Sequence, residues 1–207
     1  MELEMNLEEV DKILESDGKE DLPVFARLEG TEEFAPSMEV QAAEILDVYR
    51  DIPELSFDRW KELDVDQRAE VLNVFEQKIA EIEMRDAMVV EHEATKTSLM
   101  GYYNGSKLVI SDNLLSSDNY EAYKETLNTL FHEGRHAYQD YNLYVARTEA
   151  SSELVESWRV NLQELGYESA SGLQSIFSNK GYYKYYTQPI EVDARFFAET
   201  VVNKLNL

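Results

Sequence analysis

The stretch Thr129-Leu130-Phe131-His132-Glu133-Gly134-Arg135-His136 decides how this chain is read, because it joins a helical apolar repeat to a pair of histidines four residues apart. Residues from about Asn119 to Tyr144 read as one long helix, with Leu127, Leu130, Phe131 and Tyr138 as its buried face. On such a helix His132 and His136 share one face, so both imidazoles can be directed at a single ion. Glu133 follows the first histidine directly and projects beside that ion without having to ligate it. Two histidines, one further protein ligand and one open position make the donor set of a hydrolytic zinc site, with Glu133 as general base. The chain has only three histidines, and two of them are these.

The surroundings fit that placement. Gly101-Tyr102-Tyr103 and Lys107-Leu108-Val109-Ile110 flank Asn104-Gly105-Ser106, where Asn-Gly is a strong hairpin signal. The hairpin precedes the histidine helix, where an edge strand could pair with an extended substrate. Upstream, Ser37 is a candidate N-cap for a helix that Pro53 ends. A longer helix is expected from about Asp66 to Asp86, facing the core through Val71, Leu72, Val74, Phe75, Ile79 and Ile82. Downstream, helices are expected over Glu149–Leu165 and, opened by Pro189, to about Lys204. Residues 1–36 read as an acidic extension with a short helix near Leu7–Glu15, residues 37–95 as a helical region packed on the remainder, and residues 96–207 as the catalytic region. The fold class is α+β, mostly helical, with a small sheet beside the histidine helix.

Composition sets outer bounds. The 207 residues are 43% apolar, enough for one proper core. There is no cysteine, so any metal must be held by histidine and carboxylate. Net charge is −23, and residues 1–100 carry 28 acidic against 10 basic side chains. Such a surface repels phosphate backbones and anionic lipid, so neither nucleic acid nor membrane is expected as a partner, whereas a basic partner or substrate would be steered inward. With no leader-like N-terminus and no apolar run of membrane length, the expected location is the cytoplasm, or outside it by a route without a cleavable signal.

Two acids compete for the third ligand. Glu156 lies twenty residues after His136 on the next helix, but no Asp stands four residues further on (Val160 does). Glu191 opens a helix behind Pro189, and Ala194 and Ala198 give that helix a small face for close packing. Glu191 is preferred. Asp140, one turn beyond His136, is a candidate to orient a ligand or cap the helix. His92 reads as solvated. A tyrosine among Tyr182, Tyr183, Tyr185 and Tyr186 is better placed than His92 to stabilise an oxyanion.

The order of hairpin, His132-Glu133-Gly134-Arg135-His136 and then Glu191-Val192-Asp193-Ala194-Arg195-Phe196-Phe197-Ala198 resembles the gluzincins. Within them it is most similar to the ImmA/IrrE-like metallopeptidases and to related domains of bacterial toxin and mobile-element proteins. The resemblance covers about residues 100–200. It implies a zincin-like domain, one zinc ion on His132, His136 and Glu191, Glu133 as the catalytic base, and a protein or peptide substrate. Arg195 stands where these families carry Asn or Asp, and Asp193 replaces the commoner Glu, so the residues supporting the ligands must differ. Two other readings accompany the peptidase: an acidic interaction protein with a structural or vestigial zinc site, and a zinc amidohydrolase acting on a non-protein substrate.

Overall fold

A computed structural model describes residues 34–96, 99–167 and 184–207. The expected helix near Leu7–Glu15 lies outside the described residues. Helix α1 (Met38–Asp51) follows Pro36, with Ser37 at the cap position. The Ser37 side chain makes no capping bond; its carbonyl accepts from the Val40 and Gln41 N–H groups instead. After a 3₁₀ turn and the short α2 (Phe57–Trp60), α3 (Val65–Glu83) begins in a capping box. Asp64 Oδ1 accepts from Gln67 N at 2.9 Å, and Gln67 Oε1 accepts from Asp64 N at 3.0 Å. Of the apolar residues expected to face the core from α3, Leu72, Phe75 and Ile79 are buried, but Val74 is 51% exposed. Asn73, beside it, is turned inward to bond the backbone of Val90 in both directions.

That bond belongs to a strand the sequence reading did not anticipate. Strand β1 (Val89–Glu93) lies parallel to β3 (Lys107–Ser111), and β2 (Gly101–Tyr103) runs antiparallel to β3, giving the order β1-β3-β2. The β2–β3 turn is built as its residues demand. Gly105 takes φ +88°, and Asn104 Oδ1 accepts from Ser106 N and Lys107 N, both at 3.1 Å.

A short α4 (Asp112–Leu115) leads to α5 (Tyr120–Tyr144), capped by Asn119. Helix α6 (Ser152–Arg159) continues as a π-helical turn, Val160–Leu165, and α7 (Pro189–Leu205) closes the described chain. Helices α5 and α7 form the most extensive helix–helix contact. The main core draws on α1, α3, β1, β3, α5 and α7 together. A smaller cluster around Tyr138, Trp158 and Ile190 sits behind the C-terminal half of α5. Gly101 lets the sheet approach α5 closely: a Cβ there would lie 2.5 Å from Val109 O and 2.6 Å from Thr129 Cγ2. The molecule is therefore mostly helical α+β, with its small sheet laid against the histidine helix. Among the described residues no helix is long and apolar enough to cross a membrane.

Candidate metal centre

Helix α5 presents His132 and His136 on one face, with their rings edge to face at 4.8 Å between centroids. Helix α7 brings Glu191 to them. Pro189 occupies the first turn of α7, and Asn161 from the π-helical turn accepts the Ile190 N–H at 3.2 Å, fixing where the helix starts. Glu191 is thus a first-turn carboxylate, favoured by the helix dipole. It is fully buried. The three Oε/Nε separations are short: 3.2 Å between the two Nε2 atoms, 3.4 Å from His132 Nε2 to Glu191 Oε2, and 3.5 Å from His136 Nε2 to Glu191 Oε1.

These distances test the donor set. Ligand atoms about 2.0–2.2 Å from a tetrahedral zinc lie roughly 3.3–3.5 Å from one another. The two imidazole nitrogens are about one such edge apart, and each faces a different oxygen of Glu191 at a similar distance. Glu191 Oε2 is buried without a hydrogen-bond partner among the described residues, with His132 Nε2 at 3.4 Å and the guanidinium of Arg195 at 3.8 Å as the groups that face it. The residues fit a divalent metal, and their nitrogen and oxygen chemistry suits zinc.

Protonation follows from the same contacts. Burial opposes charge on His136, but its bond to Glu191 and the charges of Glu133 and Glu191 carry its pKa up to about 9. Burial pushes the Glu191 carboxyl up, yet bonds with His132, His136 and Tyr167 outweigh it and hold the group well below the usual carboxylate range. The Tyr167 hydroxyl donates to Glu191 Oε1 at 2.7 Å, and Tyr185 also bonds Glu191. Burial and then the charge of Glu191 raise both phenols.

Support from behind runs through a chain of buried polar groups. His136 Nδ1 faces Gln139 Oε1 at 2.8 Å, while Gln139 Nε2 donates to Ile190 O at 2.9 Å and to Asp193 Oδ2 at 2.8 Å. Because the amide nitrogen is committed to two acceptors, the amide oxygen must face Nδ1. Nδ1 therefore carries a proton in either charge state of the ring, so Nε2 is the nitrogen a metal would take on displacing the other proton. Asp193 in turn accepts from Arg135 Nε at 2.9 Å. Arg135 is enclosed by the rings of Tyr138, Phe197 and Trp158 and lies 3.8 Å from Glu83. Glu83 accepts from Arg85, which also pairs with Glu76 at 2.6 Å. Gly134 packs beside this pair, where a Cβ would stand in van der Waals contact, 3.4 Å from Arg85 Nη2.

Comparison of the chain with protein families, with curated proteins and with solved structures finds no match. In front of the site lies a cavity of about 410 Å³ that takes in Glu133, His136, Asp140, Tyr185 and Glu191. Glu133 is oriented by β2, whose Tyr103 N–H donates to its Oε2 at 2.9 Å. Asp140 also faces this cavity and does not cap α5, which runs one turn further.

Other candidates are placed elsewhere. Glu156 sits at the surface, bonded to Arg159 at 2.6 and 2.8 Å. His92 is on β1, between Asp112 at 2.7 Å and Asp66 at 3.0 Å, and does not line the cavity. Tyr186 stacks on Arg195. Tyr182 and Tyr183 lie outside the described residues. Two participants went unread in the sequence, Tyr167 and Gln139. Gln139 had a signal: it lies three residues after His136, on the same helical face.

Proposed function

We propose that this chain is a zinc-dependent metallopeptidase, with His132, His136 and Glu191 as metal ligands and Glu133 as general base. The observation that carries the reading is the convergence of two imidazole nitrogens and one buried carboxylate, with ligand atoms within 4.8 Å of one another, beside a carboxylate that lines a cavity. A zinc ion held there would supply Lewis acidity, bringing the pKa of water toward neutrality and polarising a carbonyl.

The chain's own groups do the rest. Glu133, held by the Tyr103 N–H, accepts the proton that the attacking water loses and delivers it to the leaving amine. Tyr167 and Tyr185, at the edge of the cavity, bond the Glu191 carboxylate through their hydroxyls and orient it. β2 is an edge strand whose residues line the cavity, a surface along which an extended peptide can lie. Gln139, Asp193 and Arg135 hold His136 in the tautomer that leaves Nε2 free.

A purely structural metal site accounts less well for Glu133, because such a site is closed and has no use for a base facing a cavity. The deciding experiment measures bound metal and peptide or casein cleavage for the wild type, Glu133→Ala and Glu191→Ala. The reading expects stoichiometric zinc in the first two, cleavage in the first alone, and weakened zinc in the third. Cleavage surviving in Glu133→Ala would sink the mechanism. Full zinc occupancy in Glu191→Ala would remove Glu191 from the ligand set.

A further inference from the structure

One carboxylate in the cavity is not used by the reaction above. Asp140 stands one turn beyond His136 on α5, about 6 Å along the axis, and lines the same cavity as Glu133. Of the other described acids there, Glu133 is the base of the proposed reaction and Glu191 is held by two imidazoles, Tyr167 and Arg195. Asp140 is bonded by the Tyr103 hydroxyl. A carboxylate accepts about four hydrogen bonds, so capacity remains. The cavity is also lined by Leu99, Leu162, Tyr102 and Tyr103, and no lysine or arginine is among the described residues that line it.

Apolar walls, aromatic faces and one carboxylate make a receptor for a long aliphatic stem that ends in a cation. A neutral side chain filling this space would strip water from Asp140 without replacing it, which is costly for a charged group. An acidic one would add repulsion. A lysine or arginine pairs with the carboxylate and buries its stem, and the four-carbon stem of lysine spans about one helical turn. The net charge of −23 acts in the same direction at long range, drawing basic peptides toward the molecule.

We infer that the cavity selects a peptide carrying a lysine or arginine next to the scissile bond, with Asp140 as the residue that determines this specificity. The inference rests on the peptidase reading and names its substrate class.

The test uses the zinc-loaded full-length chain and N-acetylated, C-amidated peptides that vary one residue on either side of the cleaved bond among Lys, Arg, norleucine and Glu. Blocked termini leave the side chain as the only cation. High salt suppresses long-range steering and leaves the short-range pair. Lys and Arg peptides should exceed norleucine by about 10- to 100-fold in kcat/KM, the scale of a charged hydrogen bond, mostly through KM. In Asp140→Asn, which is isosteric and keeps the Tyr103 contact, the preference should collapse to within about threefold. Asp140→Lys should turn it toward Glu. The same peptides are also titrated against Glu133→Gln, with and without Asp140→Asn, and Kd is read by calorimetry. Cleavage with no preference for a basic residue, or a preference that survives Asp140→Asn, overturns the Asp140 assignment and leaves the peptidase reading standing. A basic preference in binding that Asp140→Asn abolishes, without cleavage by the wild type, supports Asp140 and overturns the peptidase reading instead.

Discussion

Helix α5 has two polar faces that differ in kind. The front carries His132, Glu133, His136 and Asp140, and three of these line the cavity. The back carries Arg135, packed among aromatic rings and ion-paired to Asp193, with Gly134 packed beside the Arg85–Glu76 pair. Polar groups on the back have their charges matched by neighbours, whereas the front leaves lone pairs directed at a shared point and at open space. Buried ions that are paired define a geometry; groups that keep unused capacity are the ones available for chemistry. The same five residues of the motif thus supply both, in alternation around one helix.

The sharpest way to break this contrast is to change one face at a time. Glu133→Gln keeps an acceptor for the Tyr103 N–H but cannot take a proton. Cleavage should fall by about 10²- to 10⁴-fold, the usual contribution of a general base, while the melting temperature stays within about a degree. Arg85→Met does the reverse. It strands Glu76 and Glu83, both fully buried, and should cost about 3–5 kcal/mol of stability, read from denaturant unfolding. The zinc affinity of the folded variant should match the wild type. A stable Arg85→Met protein would mean that the back-face ions contribute nothing that hydrophobic packing cannot replace.

What was legible in the sequence was local. The shared face of His132 and His136 follows from i, i+4 spacing, the hairpin from Asn104-Gly105, and the start of the helix that carries Glu191 from Pro189. What escaped was non-local. β1 pairs in parallel with β3 across the intervening β2, and Val89-Val90-Glu91-His92-Glu93 has too short an alternation to announce itself. Arg135 meets Asp193 across 58 residues, and Tyr167 meets Glu191 across 24, with no periodic pattern to connect them. The π-helical turn that places Asn161 under Ile190 depends on contacts made only after folding.

Gln139 links the two faces, so its removal should give an intermediate effect. In Gln139→Leu, His136 loses the acceptor that fixes its Nδ1–H, and Asp193 and Ile190 O lose a donor. Zinc affinity, measured by chelator competition, should drop by about 10- to 100-fold, as is usual when a ligand's supporting residue is removed. An unchanged affinity would show that helix packing alone orients His136.

His92 belongs to neither face and should show the smallest effect. It has carboxylates on both ring nitrogens but does not line the cavity, so its contribution is to stability alone. The bond to Asp112 raises its pKa, burial opposes, and the bond to Asp66 adds to the rise. Its pKa is therefore higher in the folded than in the unfolded chain. The stabilisation it gives is complete below the unfolded value of 6.5 and is lost as pH climbs through the folded one. His92→Gln should accordingly lower the melting temperature slightly at pH 5.5 and leave it nearly unchanged at pH 9. If the difference instead persisted undiminished to pH 9, the contact would be one of packing and neutral hydrogen bonds. The bracketed imidazole would then be no charge-paired counterpart to the open histidines of α5.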